Sequence, residues 1–432
     1  MKFYSTSGKQ KNVTLEYAVL HGLANDGGLF LPEQIPVLSD RFFNSLSSLS
    51  FSEIAFEIAN KFFAEIPDAD LKKMIADAFD FPIPLVTLTE NLHILELFHG
   101  PTLAFKDFGA RFLAQIVSWF AKKENKNILI LVSTSGDTGS AVAKGFHNLP
   151  NVQIALLYPS GKVSPIQEKQ FTTMDGNVTA LEIKGTFDDC QAMVKQAFLD
   201  PDLCKNLTLT SANSINIARL IPQSFYYFYS FARLENKNSP IIFSIPSGNF
   251  GNLTAGLIAK KMGLPVDHFV AATNANDTIP RYFATGHYDP RPSQKTISNA
   301  MDVGTPSNFA RINELYHGDL EAMKKDVSSF GFSDEQTTVA IKEIYQKYNY
   351  IIDPHGAIAY LGAKKYPSAN AIILETAHPA KFADIVEPII NAKIPIPDRL
   401  KTALSKEKTS IKLSNDFAGF KHFLLDNFAK AI

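Results

Sequence analysis

Six short apolar runs, "NILILV", "VQIALLY", "VTALEI", "PIIFSI", "DHFVAA" and "NAIILE", recur between residues 127 and 375, separated by stretches with helical spacing. A strand that is apolar on both sides has to be covered on both sides, and helices between such strands cover them best when the sheet is parallel. The expected class is therefore α/β, with more units than one sheet would hold, hence two sheets. The segment before them has another character. "TLEYAVLHGLA", "SEIAFEIANKFFAEI" and "ADLKKMIADAF" carry apolar residues at helical spacing around the turn-rich "NDGGLFLPEQIP", which predicts a mainly helical amino-terminal cap. No internal repeat or low-complexity tract interrupts this plan.

Composition narrows the partners. The chain has 432 residues, 45% of them hydrophobic, too many for one compact core and enough for two or three domains. Lys and Arg number 42 against 43 Asp and Glu, with no basic stripe, so neither nucleic acid nor an anionic membrane is an expected partner and the substrate is expected to be a small molecule. Only Cys190 and Cys204 are present, without the spacing of a disulfide framework, a zinc ribbon or a redox pair, which points to a reducing compartment and no metal. The first residues lack the apolar core and small-residue cleavage site of a secretory signal, and no run reaches the roughly 20 apolar residues of a membrane span, so a cytoplasmic location is expected.

Two strand-to-helix junctions carry glycine. "NILILVSTSGDTGSAVAKGF" reads as a strand, a turn from Ser135 to Gly139 and a helix; "PIIFSIPSGNFGNLTAGLIAKKMGLP" repeats the design with its turn at Ser247 to Asn252. Free N–H groups and the helix dipole favour an anion at such a place. Glycines at 248 and 251 would let a phosphate approach the backbone, and Gly251 is expected to use its freedom at positive φ. Neither turn has the G-x-G-x-x-G of a dinucleotide fold or the G-K-[ST] of a P-loop, which argues against nicotinamide and nucleoside triphosphates. A glycine turn after a strand is often plain connection, so each turn alone says little.

In "FHGPTLAFKDFGARF", Lys106 stands between two phenylalanines and before Asp107. A buried ammonium costs several kcal/mol unless it is paired or loses its proton, roughly as for any desolvated charge. Lys106 is therefore either a surface residue paired with Asp107 or a group committed to chemistry.

"LAFKDF", "STSGDTG", "PSGNFGN" and "ETAHPAKF", in that order, resemble the pyridoxal-phosphate enzymes of the tryptophan-synthase-like fold (fold type II), and within them the threonine synthases. "NDGGLFLPE", "SPIQEKQF", "SANSINIARL", "AMDVGTPSNFAR" and "DPHGAIAY" extend the resemblance over nearly the whole chain. The resemblance implies two doubly wound α/β domains and the helical amino-terminal domain: residues 1–82 for the last, 83–112 with 213–432 for a large cofactor-binding domain, and 113–212 for a small one. It implies that Lys106 forms the Schiff base with pyridoxal 5'-phosphate and that Gly248, Asn249, Phe250, Gly251 and Asn252 cradle the cofactor phosphate. Thr376 would face the pyridine nitrogen with a neutral hydroxyl, and either Asp137 or Asn213 would contact the cofactor's 3-oxygen. Asp137 stands where one branch of the family has asparagine, and an ionised aspartate cannot donate, so that contact requires a protonated Asp137 or falls to Asn213. Ser135, Gly136 and Thr138 would take the substrate α-carboxylate. For the substrate phosphate the candidates are Ser133, Thr134, Lys169, Asn216 and Arg219. His378 reads equally as a structural or a catalytic histidine.

The implied reaction is conversion of O-phospho-L-homoserine and water to L-threonine and phosphate. Its rivals are a related phospho-lyase that releases 2-oxobutyrate, a serine or threonine dehydratase of the same fold, which needs no second phosphate site, and a non-catalytic anion-binding protein using the same two turns.

Overall fold

A computed structural model of the chain describes residues 1–429. The amino-terminal part combines helices with one small sheet: β1 (Phe3–Ser5) pairs antiparallel with β2 (Phe30–Pro32), and helices span Leu15–His21, Asp40–Ser45, Phe51–Phe62 and Asp68–Ala78. The Phe51–Phe62 helix shows why the sequence was readable here. Ser50 caps it, accepting from the Glu53 amide while the Glu53 carboxylate accepts from the Ser50 amide at 2.8 Å, and Ile54, Ala55, Ile58, Ala59 and Phe62 form one buried face. Burying each of the larger side chains stabilises the fold by roughly 1.5–3 kcal/mol.

The remaining strands are β3 (Leu85–Thr89), β4 (Leu92–Glu96), β5 (Ile128–Ser133), β6 (Val152–Pro159), β7 (Val178–Lys184), β8 (Thr208–Ser211), β9 (Ile241–Pro246), β10 (His268–Thr273), β11 (Val327–Gly331), β12 (Asn370–Glu375) and β13 (Ile411–Ser414). They form two sheets, ordered β11-β10-β9-β12-β4-β3 and β13-β7-β6-β5-β8. Every pairing in them is parallel except that of β3 with β4, which places an antiparallel strand at one edge. All six apolar runs of the sequence are strands, and β5, β9 and β12 are buried along their whole length, as a parallel sheet covered by helices requires.

Two expected boundaries need correction. The 83–112 and 113–212 segments were divided inside what is one helix, Lys106–Lys123, whose apolar face is continuous from Phe108 through Phe112 to Phe120. The carboxy-terminal part of 213–432 does not remain with the large unit: β13 pairs with β7, and Phe420, Leu424 and Phe428 of the following helix pack with Cys190, Met193 and Leu203 of the small unit. The physical reason is the open edge of β7, which needs a partner, and the apolar side of the helix, which needs a surface. One apolar core runs from Phe62 in the amino-terminal helices through Phe108 and Phe112 to Ile130 of one sheet and Phe243 of the other.

Candidate active site

Lys106 opens its helix at the carboxyl end of β12. The Phe105 amide donates to the Thr376 carbonyl at 2.8 Å, the His378 amide donates to the Leu103 carbonyl at 3.1 Å, and Ala104 forms a bridge with Ala377. These bonds hold Leu103 at φ 58°, a left-handed conformation that a leucine adopts only at a cost of about 1 kcal/mol or more. Lys106 does not pair with Asp107. Both oxygens of that buried carboxylate accept from Thr102, one from the amide at 2.9 Å and the other from the hydroxyl at 2.8 Å, and burial raises the Asp107 acid to about 6. The Lys106 ammonium is depressed by desolvation, and the positive charges of Arg219 and Lys381 push it further down against the opposing pull of Asp137. Lys106 is thus part-exposed and not paired with Asp107, and desolvation weakens its hold on a proton.

The first glycine turn is built around Thr134. Its hydroxyl accepts from the amides of Gly136 at 3.0 Å and Gly139 at 2.8 Å and donates to the Gly136 carbonyl, so it shapes the turn and has little left for a ligand. Gly136 has φ 150°, and a Cβ there would lie 2.7 Å from the Gln167 side chain, so only glycine fits. Ser135 is exposed, Thr138 is half-buried, and the Ser133 hydroxyl is buried without a partner. Asp137 answers the question left by the sequence. It is ion-paired with Lys381 and accepts from Gln167 Nε2 at 2.9 Å; burial alone would raise its acid, but Lys381 and Lys106 hold it well below the usual carboxylate range. An ionised, doubly engaged Asp137 has no proton to donate to the cofactor's 3-oxygen. Asn213, the other candidate, has a buried Oδ1 without a partner.

The second glycine turn differs from expectation at its glycines. Positive φ falls on Phe250 (60°) and not on Gly251. Gly248 is the crowded position: a Cβ there would sit 2.8 Å from Met301 Cα and 3.1 Å from the Ala300 carbonyl, whereas one at Gly251 would find Asn308 at 3.4 Å, an ordinary contact. Gly248 thus makes room for the backbone of Ala300 and Met301. The turn is braced from outside, since Asn249 accepts from the amides of Ser307 and Asn308, each at 3.2 Å, while Tyr226 and Tyr227 both donate to Asn252 Oδ1. Among the described residues no acceptor takes the amide hydrogens of Gly248, Asn249 or Phe250, and the helix Gly251–Lys261 begins directly behind them. Asn252 Nδ2 is a further buried donor without a partner.

Arg311 lies behind this turn and was not singled out from the sequence. It is fully buried and donates to the carbonyls of Phe30 (3.0 Å) and Ile215 (2.6 Å) and to Asn308 Oδ1 (2.7 Å), all neutral acceptors. Burial pulls its guanidinium down to about 9. A buried cation with only neutral partners beside a cluster of free amides suits a phosphate dianion. Its signal in the sequence is the Arg that closes "AMDVGTPSNFAR".

Two residues assigned to the substrate phosphate are engaged elsewhere. Lys169 donates to the carbonyls of Leu404 and Lys406 at 2.8 and 2.9 Å, tying the small unit to the carboxy-terminal segment. Asn216 caps the Ile217–Leu220 helix with its Oδ1 and donates to the carbonyls of Val19 and Ser211 with its Nδ2. Arg219 remains available: it is buried, donates to the Ala212 carbonyl at 2.6 Å and has an Nε without a partner. Thr376 is buried at the end of β12. His378 has a structural task, its Nδ1 accepting from the Ala380 amide at 3.1 Å, and burial takes its imidazole down to about 4.

Free amides at Gly248 to Phe250, Asn213 Oδ1 and Asn252 Nδ2 without partners, and a lysine of depressed basicity fit pyridoxal phosphate. Among the described residues no group of His, Cys, Asp or Glu is placed to hold a metal.

Comparison with known proteins agrees with this geometry. Residues 2–79 match the family described as threonine synthase N terminus, residues 81–373 the pyridoxal-phosphate dependent enzyme family, and residues 356–424 threonine synthase, C-terminal. The chain is 46% identical to the threonine synthase of Haemophilus influenzae, over 98% of this chain and 100% of that protein, and 38% identical to that of Saccharomyces cerevisiae, over 94% and 93%. The crystal structure of threonine synthase from Escherichia coli superposes with a TM-score of 0.92 at 42% identity, covering 99% of this chain and 100% of that one. The PLP-bound threonine synthase from Brucella melitensis gives 0.93 at 35% identity, covering 98% of each. A tomato threonine deaminase, at 16% identity and a TM-score of 0.55, shares the fold alone. With two sheets of this topology, a lysine at the end of β12 and full-length similarity on every side, the chain belongs to the threonine synthase family of pyridoxal-phosphate-dependent, fold type II enzymes.

Proposed function

We propose that the site around Lys106 takes O-phospho-L-homoserine and water to L-threonine and phosphate, and that it does so in the cytoplasm. The observation that carries the substrate reading is charge. Arg219 is a buried guanidinium whose bond goes to the neutral Ala212 carbonyl and whose Nε has no partner, so it is a buried cation that the phosphate of a phosphorylated amino acid would balance. A dehydratase substrate without a phosphate would leave that guanidinium without an anion.

Pyridoxal phosphate supplies the electron sink that makes the α- and β-protons of an amino acid removable. The chain supplies the rest. The amides from Gly248 to Phe250 hold the cofactor phosphate, with Gly251 and Asn252 at the helix start and Arg311 behind. Thr376 offers a hydroxyl, not a carboxylate, to the ring nitrogen, and Asn213 offers the side-chain amide to the 3-oxygen. Ser135, Gly136 and Thr138 hold the substrate carboxylate at the start of the Asp137–Phe146 helix. Arg219 and the Ser133 hydroxyl hold the substrate phosphate, with Thr134 shaping the turn. Lys106 would move the protons between carbon atoms when not bonded to the cofactor, for which an amine of lowered basicity is suited. No helix among the described residues is long and apolar enough to cross a membrane.

Incubating the purified protein with O-phospho-L-homoserine and pyridoxal phosphate tests the reading. Threonine and inorganic phosphate should appear in equal amounts; 2-oxobutyrate as the main product would replace it with the phospho-lyase alternative.

A further inference from the structure

Lys381 lies on the short turn Pro379–Phe382 that follows β12 in the large unit, and Asp137 opens the helix Asp137–Phe146 of the small unit. Their side chains form an ion pair with 0% and 4% exposure, so neither charge is shared with solvent. Lys381 spends a second proton on the Thr102 carbonyl at 3.0 Å, and Asp137 takes a second bond from Gln167 at 2.9 Å. The pair therefore bridges the two units beside the Lys106 amine.

Without Lys381 the arrangement would have another outcome. Asp137 acts on Lys106 as the single anion in its field, with Arg219 and Lys381 as the opposing cations. A buried carboxylate facing two lysines pairs with whichever is free, and a Lys106 ammonium paired with Asp137 would hold its proton and be a poor nucleophile. We propose that Lys381 is a positioning residue: by occupying Asp137 across the two units, it keeps that carboxylate from pairing with Lys106 and leaves the Lys106 amine free to give up its proton. Lys381 does not touch the reacting atoms in this account. It acts through Asp137 and through its own charge, which repels a proton on Lys106. The proposal rests on Lys106 being the cofactor lysine.

The charged groups facing this cluster are few. Lys106 meets Asp137, Arg219 and Lys381; Lys381 also acts on Asp107, whose oxygens are taken by Thr102, and on the His378 imidazole three residues before it. A change in the Lys106 titration on removing Lys381 can therefore be traced by removing Asp137 as well.

The test is the pH dependence of the rate at which the cofactor-free chain takes up pyridoxal phosphate, read as growth of the visible absorbance, joined to the pH profile of kcat/KM. In Lys381→Met the midpoint should rise by about one to three units, because an opposite charge at close range stabilises the protonated nitrogen by that much. In the double variant Lys381→Met with Asp137→Asn it should return most of the way toward the wild-type value. Lys381→Arg keeps the cation and should titrate like the wild type, which also guards against a Lys381→Met protein that fails to fold. A midpoint unmoved in Lys381→Met, or one that the double variant fails to bring back, overturns the proposal, since loss of a merely structural bridge would lower the melting temperature without moving the titration. Lys106→Ala separates the two levels. Retention of the cofactor-linked band in that variant rejects Lys106 itself, whereas its loss, together with identical titrations in the wild type and Lys381→Met, rejects the role of Lys381 alone.

Discussion

The carbonyl of Thr376 accepts the amide hydrogen of Phe105 at 2.8 Å, so the residue that closes on the end of β12 also fixes where the Lys106 helix begins. The bond is made by backbone, which separates the structural use of this position from the chemical use of its side chain. Thr376→Val should therefore fold and load cofactor while shifting the cofactor's visible spectrum and lowering kcat by roughly tenfold or more, about 1.4 kcal/mol of barrier. A variant with an unchanged spectrum and unchanged kcat would mean that the hydroxyl faces something else.

Glycine is required at 248 for a reason that does not extend to 251. Gly248→Ala would press a Cβ against Met301 Cα at 2.8 Å and should cost about 1–3 kcal/mol, with weaker cofactor binding. Gly251→Ala meets only Asn308 at 3.4 Å and should stay within about 0.5 kcal/mol of the parent. Thermal unfolding with and without pyridoxal phosphate measures both; equal melting temperatures for the two variants would contradict the packing argument.

Arg311 makes its bonds as a planar fork to Phe30, Ile215 and Asn308, parts of the chain far apart in sequence. Lysine cannot reproduce that geometry. Arg311→Lys should lose at least one charge-assisted bond, about 1.5–3 kcal/mol, visible as a lower urea midpoint. An unaltered midpoint would show that the fork adds nothing to a point charge.

His378 gives a pH dependence with a definite sign. Burial lowers its imidazole from 6.5 to about 4, and its Nδ1 is occupied as an acceptor, so the folded chain prefers it neutral while the unfolded chain binds a proton first. Stability from this group is complete above about 6.5 and is lost as pH falls toward 4, by on the order of 1–2 kcal/mol after allowance for its partial exposure. His378→Asn keeps an acceptor for the turn and removes the titration. Chemical unfolding at pH 7 and pH 4.5 should show a smaller difference for the variant than for the parent; the same difference in both would exclude His378 as a source.

What could be read from the sequence divides along physical lines. The six apolar runs were legible because strands buried on both faces have nothing polar to conceal them, and the Ser50 cap is written in residues three apart. β13, "IKLS", was missed because it is a mostly exposed edge strand whose pairing with β7 leaves no pattern of its own. Lys106 was legible through local contrast, an ammonium among phenylalanines. Lys381 was not, although it stands in a quoted motif, because its meaning depends on Asp137, 244 positions away. Lys169 and Asn216 were chosen for their side-chain chemistry, and what excludes them is the set of carbonyls they meet in the fold.

The return of β13 to the edge of β7 has a consequence for the order in which the molecule can be assembled. During synthesis the strands β5 to β8 leave the ribosome long before residues 411–414, so the smaller sheet must wait with one border open until nearly all of the larger unit has been made. For that interval β7 is an available template for another nascent chain, and the last strand to emerge is the one that closes it.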